Sequence, residues 1–233
     1  MLPSAVENQV VENGESQMIT VLVADDHDLV RMGIVRMLSD APNVEVVAQA
    51  ATGEEAVKLC RQLQPDIVLM DVRMPGIGGL AATRKIVAHD SSIKVIALTA
   101  YTDDPFPAKL IQAGAKGFIT KGSSPDQMLD AVRKVESGQR YISPEVAQDM
   151  ALKPFSSGKD ESPFNQLSER ELQIAMMIIS CDKVPDIAEK LSISTKTVNS
   201  YRYRLFEKLE IKGDVELALL AVRHGLIEEG LDR

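Results

Sequence analysis

The spacing of apolar positions changes twice along this chain. From residue 19 to about residue 138, short apolar runs alternate with stretches in which apolar residues recur every three or four positions. The runs at 19–24, 44–50, 66–70, 93–98 and 116–119 are rich in β-branched residues and leucine, as in strands buried on both faces of a parallel sheet. The stretches between them, near 27–39, 54–63, 79–88, 106–113 and 125–137, carry the helical period. In the first, Leu29, Met32, Val35 and Leu38 are read as the inward stripe. Five strands alternating with five helices predict an α/β domain: a flavodoxin-like, five-stranded parallel sheet of order 2-1-3-4-5 with helices on both faces. Pro42-Asn43, Gln64-Pro65, Pro75-Gly76, Gly114 and Gly122 fall where the turns of such a fold are needed.

Beyond residue 138 the alternation stops. Pro144, Pro154, Ser156-Ser157-Gly158 and Ser162-Pro163 break any long period, so 139–166 reads as a linker with a short helix near 144–151. From 167 to 233 the pattern is helical without strand candidates. Ser168, with Glu171 three residues on, forms a capping box opening a helix at 169–180. Further helices are predicted at 184–191, 195–209 and 213–224. The three-residue turn Ser192-Ile193-Ser194 gives the second and third the spacing of a helix-turn-helix. The predicted second domain is thus a four-helix, all-α module. Residues 1–18 are polar and acidic and read as a disordered extension, with Met18 a candidate true start.

The bulk numbers narrow this picture slightly. The chain has 233 residues, is 45% hydrophobic and carries a net charge of −8, so any nucleic-acid contact must come from a local basic face. Cys60 and Cys181 lie far apart and make neither a disulfide framework nor a zinc motif. His27, His89 and His224 are scattered and read as ordinary structural or surface residues. No apolar stretch nears the roughly 20 residues that span a bilayer, and the N-terminus does not read as a secretory signal. A cytoplasmic protein is expected.

The candidate chemistry sits at the strand ends. Asp25 and Asp26 close the first run, Asp71 the third, Thr99 follows the fourth and Lys121 the fifth. In an open α/β sheet these positions converge on one crevice at the switch point. Three carboxylates there repel one another unless a cation lies among them. Acids that hold Mg²⁺, a hydroxyl and an ammonium suit phosphoryl chemistry with an aspartate as acceptor. Taken singly, Asp26 is better explained as a helix cap and Lys121 as a solvated lysine; their joint placement favours the site. In the helical module, Val198, Leu205 and Leu209 recur inward along the third helix, which leaves Lys196, Asn199, Ser200 and Tyr203 on the other side. Lysine and arginine can contact phosphate there and asparagine can read adenine, but a solvated polar face fits the pattern equally well.

Ala24-Asp25-Asp26-His27, Leu69 to Gly76, Leu98-Thr99-Ala100 and Gly117 to Lys121 resemble a two-component receiver domain over essentially all of 19–138. Leu167 to Glu171, Ile187 to Leu191, Ser194 to Ser200 and Glu216 to Leu226 resemble the helix-turn-helix of the LuxR type. The whole chain resembles the NarL/FixJ family of response regulators, and within it the GacA/UvrY/LetA group. The resemblance implies Asp71 as phosphoacceptor. It implies Asp25, Asp26, Asp71 and the Arg73 backbone carbonyl as Mg²⁺ ligands. It further implies Thr99 and Lys121 as phosphoryl-contacting groups and Phe118 as an aromatic switch. It places DNA contacts on Lys196, Thr197, Asn199, Ser200, Tyr203 and Arg204, although Asn199 and Tyr201 depart from the family's commoner lysine and histidine. Expected partners are a sensor histidine kinase, of hybrid type, promoter DNA and a second copy of the chain. The expected role is not enzymatic but activation of small regulatory RNA genes, with control of virulence traits. A Mg²⁺-dependent phosphohydrolase and a protein-binding adaptor are the competing readings.

Overall fold

The β-branched runs pair as the alternation predicts, because each is flanked by a crossover helix long enough to return the chain to the same edge of the sheet. The computed structural model describes residues 18–99, 106–148 and 162–224. The extension before Met18, residues 100–105, residues 149–161 of the linker and the last nine residues lie outside these. Among the described residues the sheet has six parallel strands in the order β2-β1-β3-β4-β5-β6. They are β1 (Ile19–Ala24), β2 (Val44–Ala50), β3 (Ile67–Asp71), β4 (Lys94–Thr99), β5 (Gly117–Thr120) and β6 (Tyr141–Ile142). The predicted order 2-1-3-4-5 is intact. The sixth strand is an addition: two residues of the expected linker pair with β5, Gly117 opposite Tyr141 and Phe118 opposite Ile142. A two-residue strand has no readable period, so the sequence pattern gave no sign of it.

Helices α1 (Asp28–Ser39), α2 (Gly53–Leu63), α3 (Gly78–His89), α4 (Phe106–Gln112) and α5 (Pro125–Glu136) cover the two faces. One cluster, including Val21, Val23, Leu69, Ile96 and Leu98, lies under α1 and α5; another, including Leu22, Val68, Met70 and Val95, lies under α2 and α3. The predicted stripe of α1 is a correction. Leu29 is 86% exposed and Met32 63% exposed, while Ile34 and Leu38 are buried. Each i+3 step falls about 60° short of a full turn, so Leu38 lies about half a turn from Leu29. The inward line is instead Val30, Ile34 and Leu38, at i+4 spacing.

Helix α6 has described residues 144–148. The C-terminal module follows a 3₁₀ turn, Pro163–Gln166, and comprises α7 (Glu169–Ile179), α8 (Val184–Lys190), α9 (Thr195–Leu209) and α10 (Asp214–Arg223). The Ser168–Glu171 capping box is formed as expected: Ser168 Oγ accepts the Glu171 N–H and the Glu171 carboxylate accepts the Ser168 N–H. Val198, Leu205 and Leu209 face inward with Leu172, Ile187, Leu217 and Ala221.

The module packs on the receiver-like domain. Phe164, Leu167 and Leu172 share one buried cluster with Val72, Leu80 and Leu110. The loop after β3 is held from the other side. Arg170 Nη1 donates to the Gly76 carbonyl at 2.6 Å, the Gly76 N–H donates to the Lys190 carbonyl at 2.9 Å, and Gln173 Nε2 donates to the Met74 carbonyl at 3.2 Å. Arg84 pairs with Glu169, and Lys109 donates to the Leu167 carbonyl.

Candidate functional site: an acidic notch at the strand ends

Parallel strands β1 and β3 are neighbours, with Ala24 beside Met70, so the residues that end them converge. Asp25 is fully buried and Asp71 only 2% exposed; Asp26 is half-buried. Lys121 follows β5, and its ammonium reaches back to lie 2.8 Å from both Asp25 Oδ2 and Asp71 Oδ2. Asp71 Oδ1 accepts the Arg73 N–H at 3.1 Å. That bond turns the chain sharply after β3 and keeps the Arg73 backbone beside the carboxylate. Gly79 completes the turn: a Cβ there would lie 1.8 Å from the Asp71 carbonyl oxygen, so only glycine lets α3 start this close. Thr99 ends β4 one residue beyond Leu98, which pairs with Asp71, and is 2% exposed.

Burial is the dominant force on these charges. It pushes the Asp71 carboxyl up to about 7; Asp25 adds to the rise, and the Lys121 ammonium and the Arg73 N–H oppose it. For Lys121, burial alone favours the neutral amine, but the two carboxylates outweigh it and hold the ammonium above its ordinary range. The Lys121 ammonium thus serves two of the three acids. Ligand atoms of Asp25, Asp26, Asp71 and His27 all lie within 4.8 Å of one another, which is a fit for a divalent ion.

Asp25, Asp26, Asp71 and Lys121 therefore meet, and the Lys121 N–H donates to the Thr99 carbonyl; β1 and β2 end where the pattern predicts, while β3, β4 and β5 each end one residue later. His27 was missed. Its Nδ1 is 2.9 Å from Asp26 Oδ1, and the signal was its place directly after two acids at a strand end. Phe118 is 1% exposed and already inside the cluster that holds Ala97 and Leu110, so an inward swing from solvent is not open to it. Its carbonyl accepts the Ser143 N–H, tying the residue to the start of the linker.

On α9, Lys196, Ser200, Tyr203 and Arg204 are exposed, and Thr197 and Asn199 partly so. Asn199 Oδ1 accepts from Arg202 Nη1 at 3.2 Å, and Ser194 caps the helix through the Thr197 N–H. Other basic residues of the region are engaged within the module: Lys190 with Asp182, Arg202 with Asp214 and Lys208 with Glu171.

A parallel α/β domain with an acidic notch of a kind that could hold a cation, packed on a helix-turn-helix module, defines the class of two-domain signalling proteins that couple phosphoryl chemistry to DNA. Residues 21–133 match the response regulator receiver domain family, and residues 165–221 match the bacterial regulatory proteins of the luxR family. The chain belongs to the two-component response regulators with a LuxR-type DNA-binding domain. It is 59% identical over 211 residues to the response regulator GacA of Pseudomonas aeruginosa, spanning 91% of this chain and 99% of that protein. It is 56% identical over 209 residues to the response regulator UvrY of Escherichia coli strain K12, spanning 90% and 96%. RcsB from Salmonella enterica serovar Typhimurium, solved bound to promoter rprA in the presence of phosphomimetic BeF3-, shares the fold, with a TM-score of 0.63 at 22% identity over 87% of this chain and 97% of that one. No helix of the described residues is long and apolar enough to cross a membrane.

Proposed function

We propose that Asp71 is the phosphoacceptor of a cytoplasmic transcription regulator, charged by a sensor histidine kinase and read out by α9 on promoter DNA. The observation that carries this reading is the shared ammonium of Lys121, held 2.8 Å from both Asp25 and Asp71 at adjacent strand ends. Asp25, Asp26, Asp71 and the Arg73 carbonyl would hold Mg²⁺, which supplies positive charge for an incoming phosphoryl group. The chain's own part is the nucleophile and its setting. The Asp71 carboxylate attacks phosphorus as the P–N bond to the kinase's phosphohistidine breaks and its imidazole leaves; the Arg73 N–H and Lys121 keep the carboxylate oriented, and Lys121 then neutralises a phosphoryl oxygen. Thr99 offers its hydroxyl from the end of β4. Phe118 responds by repacking inside the core, and its backbone bond to Ser143 carries the change to β6 and the linker.

The loop from Val72 to Gly78 joins the acceptor to the DNA-binding module, because the same loop bears the Arg73 carbonyl and the Met74 and Gly76 bonds to α7. A phosphoryl group that redraws the loop loosens α7. The α9 face is exposed while these bonds are intact, so the receiver's control falls on the placement and pairing of the module rather than on uncovering its DNA-reading side chains. Val215 (75% exposed) and Leu219 (55% exposed) on α10 supply the apolar face for a homodimer. Lys196 and Arg204 supply phosphate contacts, and Asn199 a base contact once Arg202 releases it. As in the group it resembles, the targets are small regulatory RNA genes, and the kinase is of hybrid type. The domain limits that fit this scheme are 19–138 for the receiver, 139–166 for the linker and 167–233 for the DNA-binding module.

A salt-dependent gel shift on promoter DNA tests the scheme. Incubation with acetyl phosphate and Mg²⁺ should tighten binding by wild type and leave Asp71→Asn unchanged, with affinity falling steeply as salt rises. Equal tightening in both proteins rejects it.

A further inference from the structure

We infer that Arg202, anchored by Asp214, is a specificity-determining residue of the DNA-reading helix: it holds the Asn199 amide in one sense and so makes adenine a disfavoured base at the position Asn199 reads. The inference deepens the reading of α9 as the helix that meets promoter DNA, and rests on it. Its own ground is a clamp of three side chains. Arg202 Nη2 donates to both carboxylate oxygens of Asp214, at 2.8 and 2.7 Å. Arg202 Nη1 donates to Asn199 Oδ1 at 3.2 Å. The guanidinium carbon lies 5.6 Å from the centroid of the Phe206 ring, and the side chain is only 24% exposed. Asn199 and Arg202 are neighbours on one face of α9, three residues apart, whereas Asp214 opens α10. The guanidinium is therefore fixed from two helices, and its planar fork keeps the direction that this gives it.

The sense of the amide follows from which groups can donate. A guanidinium carries donors and no acceptor. The Asn199 atom that faces it is therefore the oxygen, and the NH₂ group is the end left for a base. An unclamped asparagine reads adenine in a bidentate way: its NH₂ donates to N7 while its oxygen accepts from the N6 amino group. In the clamp, N6 brings a second donor to an oxygen that already faces a cationic one, and the two sets of N–H groups repel. Adenine must displace Arg202, and the charge-assisted, two-oxygen pair with Asp214 opposes that displacement. Guanine and thymine make no such demand, because guanine N7 and O6 and thymine O4 accept from the NH₂ group alone. The clamp thus acts against one base without touching DNA, by setting a donor against a donor.

Selection from a pool of random-sequence duplexes by the full-length chain, treated with acetyl phosphate and Mg²⁺, tests this, with sequencing of the bound DNA. Asn199→Ala should flatten the preference at one base position and so mark the one that Asn199 reads. At that position adenine should gain about five-fold or more over guanine and thymine in Arg202→Met. Methionine keeps an unbranched side chain against Phe206 but has no N–H to donate. Asp214→Ala, which frees the guanidinium from α10, should shift the preference the same way. Preferences at other positions should stay as in wild type, and the gain should vanish when Asn199→Ala is combined with Arg202→Met. A uniform loss of affinity across all sequences in Arg202→Met makes Arg202 a phosphate contact only. That result, an unchanged base profile in any of the single variants, or a gain that survives Asn199→Ala overturns the inference while sequence-specific binding by wild type stands. If wild type selects no sequence at all, the reading of α9 falls, and this inference with it.

Discussion

At the scale of single residues, the buried Asp71 carboxyl is the point on which chemistry and stability meet. Burial pushes it up to about 7 from an ordinary value of 3.8. Between those two values the folded chain keeps a proton that the unfolded chain has released. Without a metal ion, the contribution of Asp71 to stability is therefore most favourable near and below pH 4, falls as pH rises toward 7, and is least favourable above that. Asp71→Asn removes the buried charge. In EDTA at pH 8 the variant should melt on the order of 5 °C above wild type, with the gap closing as pH falls toward 4. A gap of equal size at both pH values would refute the assignment of the strain to Asp71. Gly79→Ala should act on the same turn from the backbone side. Its Cβ meets the Asp71 carbonyl oxygen, and a loss of more than about 3 kcal/mol is expected by chemical denaturation. The acids, Thr99 and Lys121 were legible in the sequence because each ends an apolar run, and topology alone brings strand ends together. The place of His27 beside Asp26 was not, because a histidine after two acids has no period and its direction depends on one backbone bond to Asp25.

Among the elements, regular ones were legible and irregular ones were not. Helix α9 keeps Val198, Leu205 and Leu209 inward as its spacing requires, whereas the α1 stripe fails because a chain of i+3 steps spirals off any single face. Strand β6 is too short to announce itself and exists because β5 offers it an unpaired edge. Helix α10 divides its apolar residues between two tasks. Leu217 and Ala221 are fully buried in the module core, while Val215 and Leu219 face outward. Leu217→Ala should cost about 2–5 kcal/mol of module stability. Leu219→Asp should leave the melting temperature within a few degrees and reduce self-association in sedimentation velocity of the phosphorylated protein. If the two variants exchange these phenotypes, the core and the pairing face have been misassigned.

For the molecule as a whole, the two domains are joined by a buried apolar seam and by the grip of Arg170 and Gln173 on the loop that follows the acceptor. None of this was readable from the sequence, because Arg170 lies 94 residues from its partner and its pattern is that of a surface position on a capped helix. Arg170→Ala should loosen the grip without phosphorylation. Small-angle scattering should then show an extended chain, and promoter affinity should rise toward that of the phosphorylated wild type. An unchanged scattering profile would mean that the apolar seam alone holds the domains. All of this depends on Asp71 carrying the phosphoryl group. Treatment with acetyl phosphate and Mg²⁺, reduction with borohydride and peptide mass spectrometry locate an acyl phosphate as homoserine. The account predicts homoserine at position 71 alone; homoserine at Asp25, Asp26 or elsewhere, or its persistence at another position in Asp71→Asn, would contradict it.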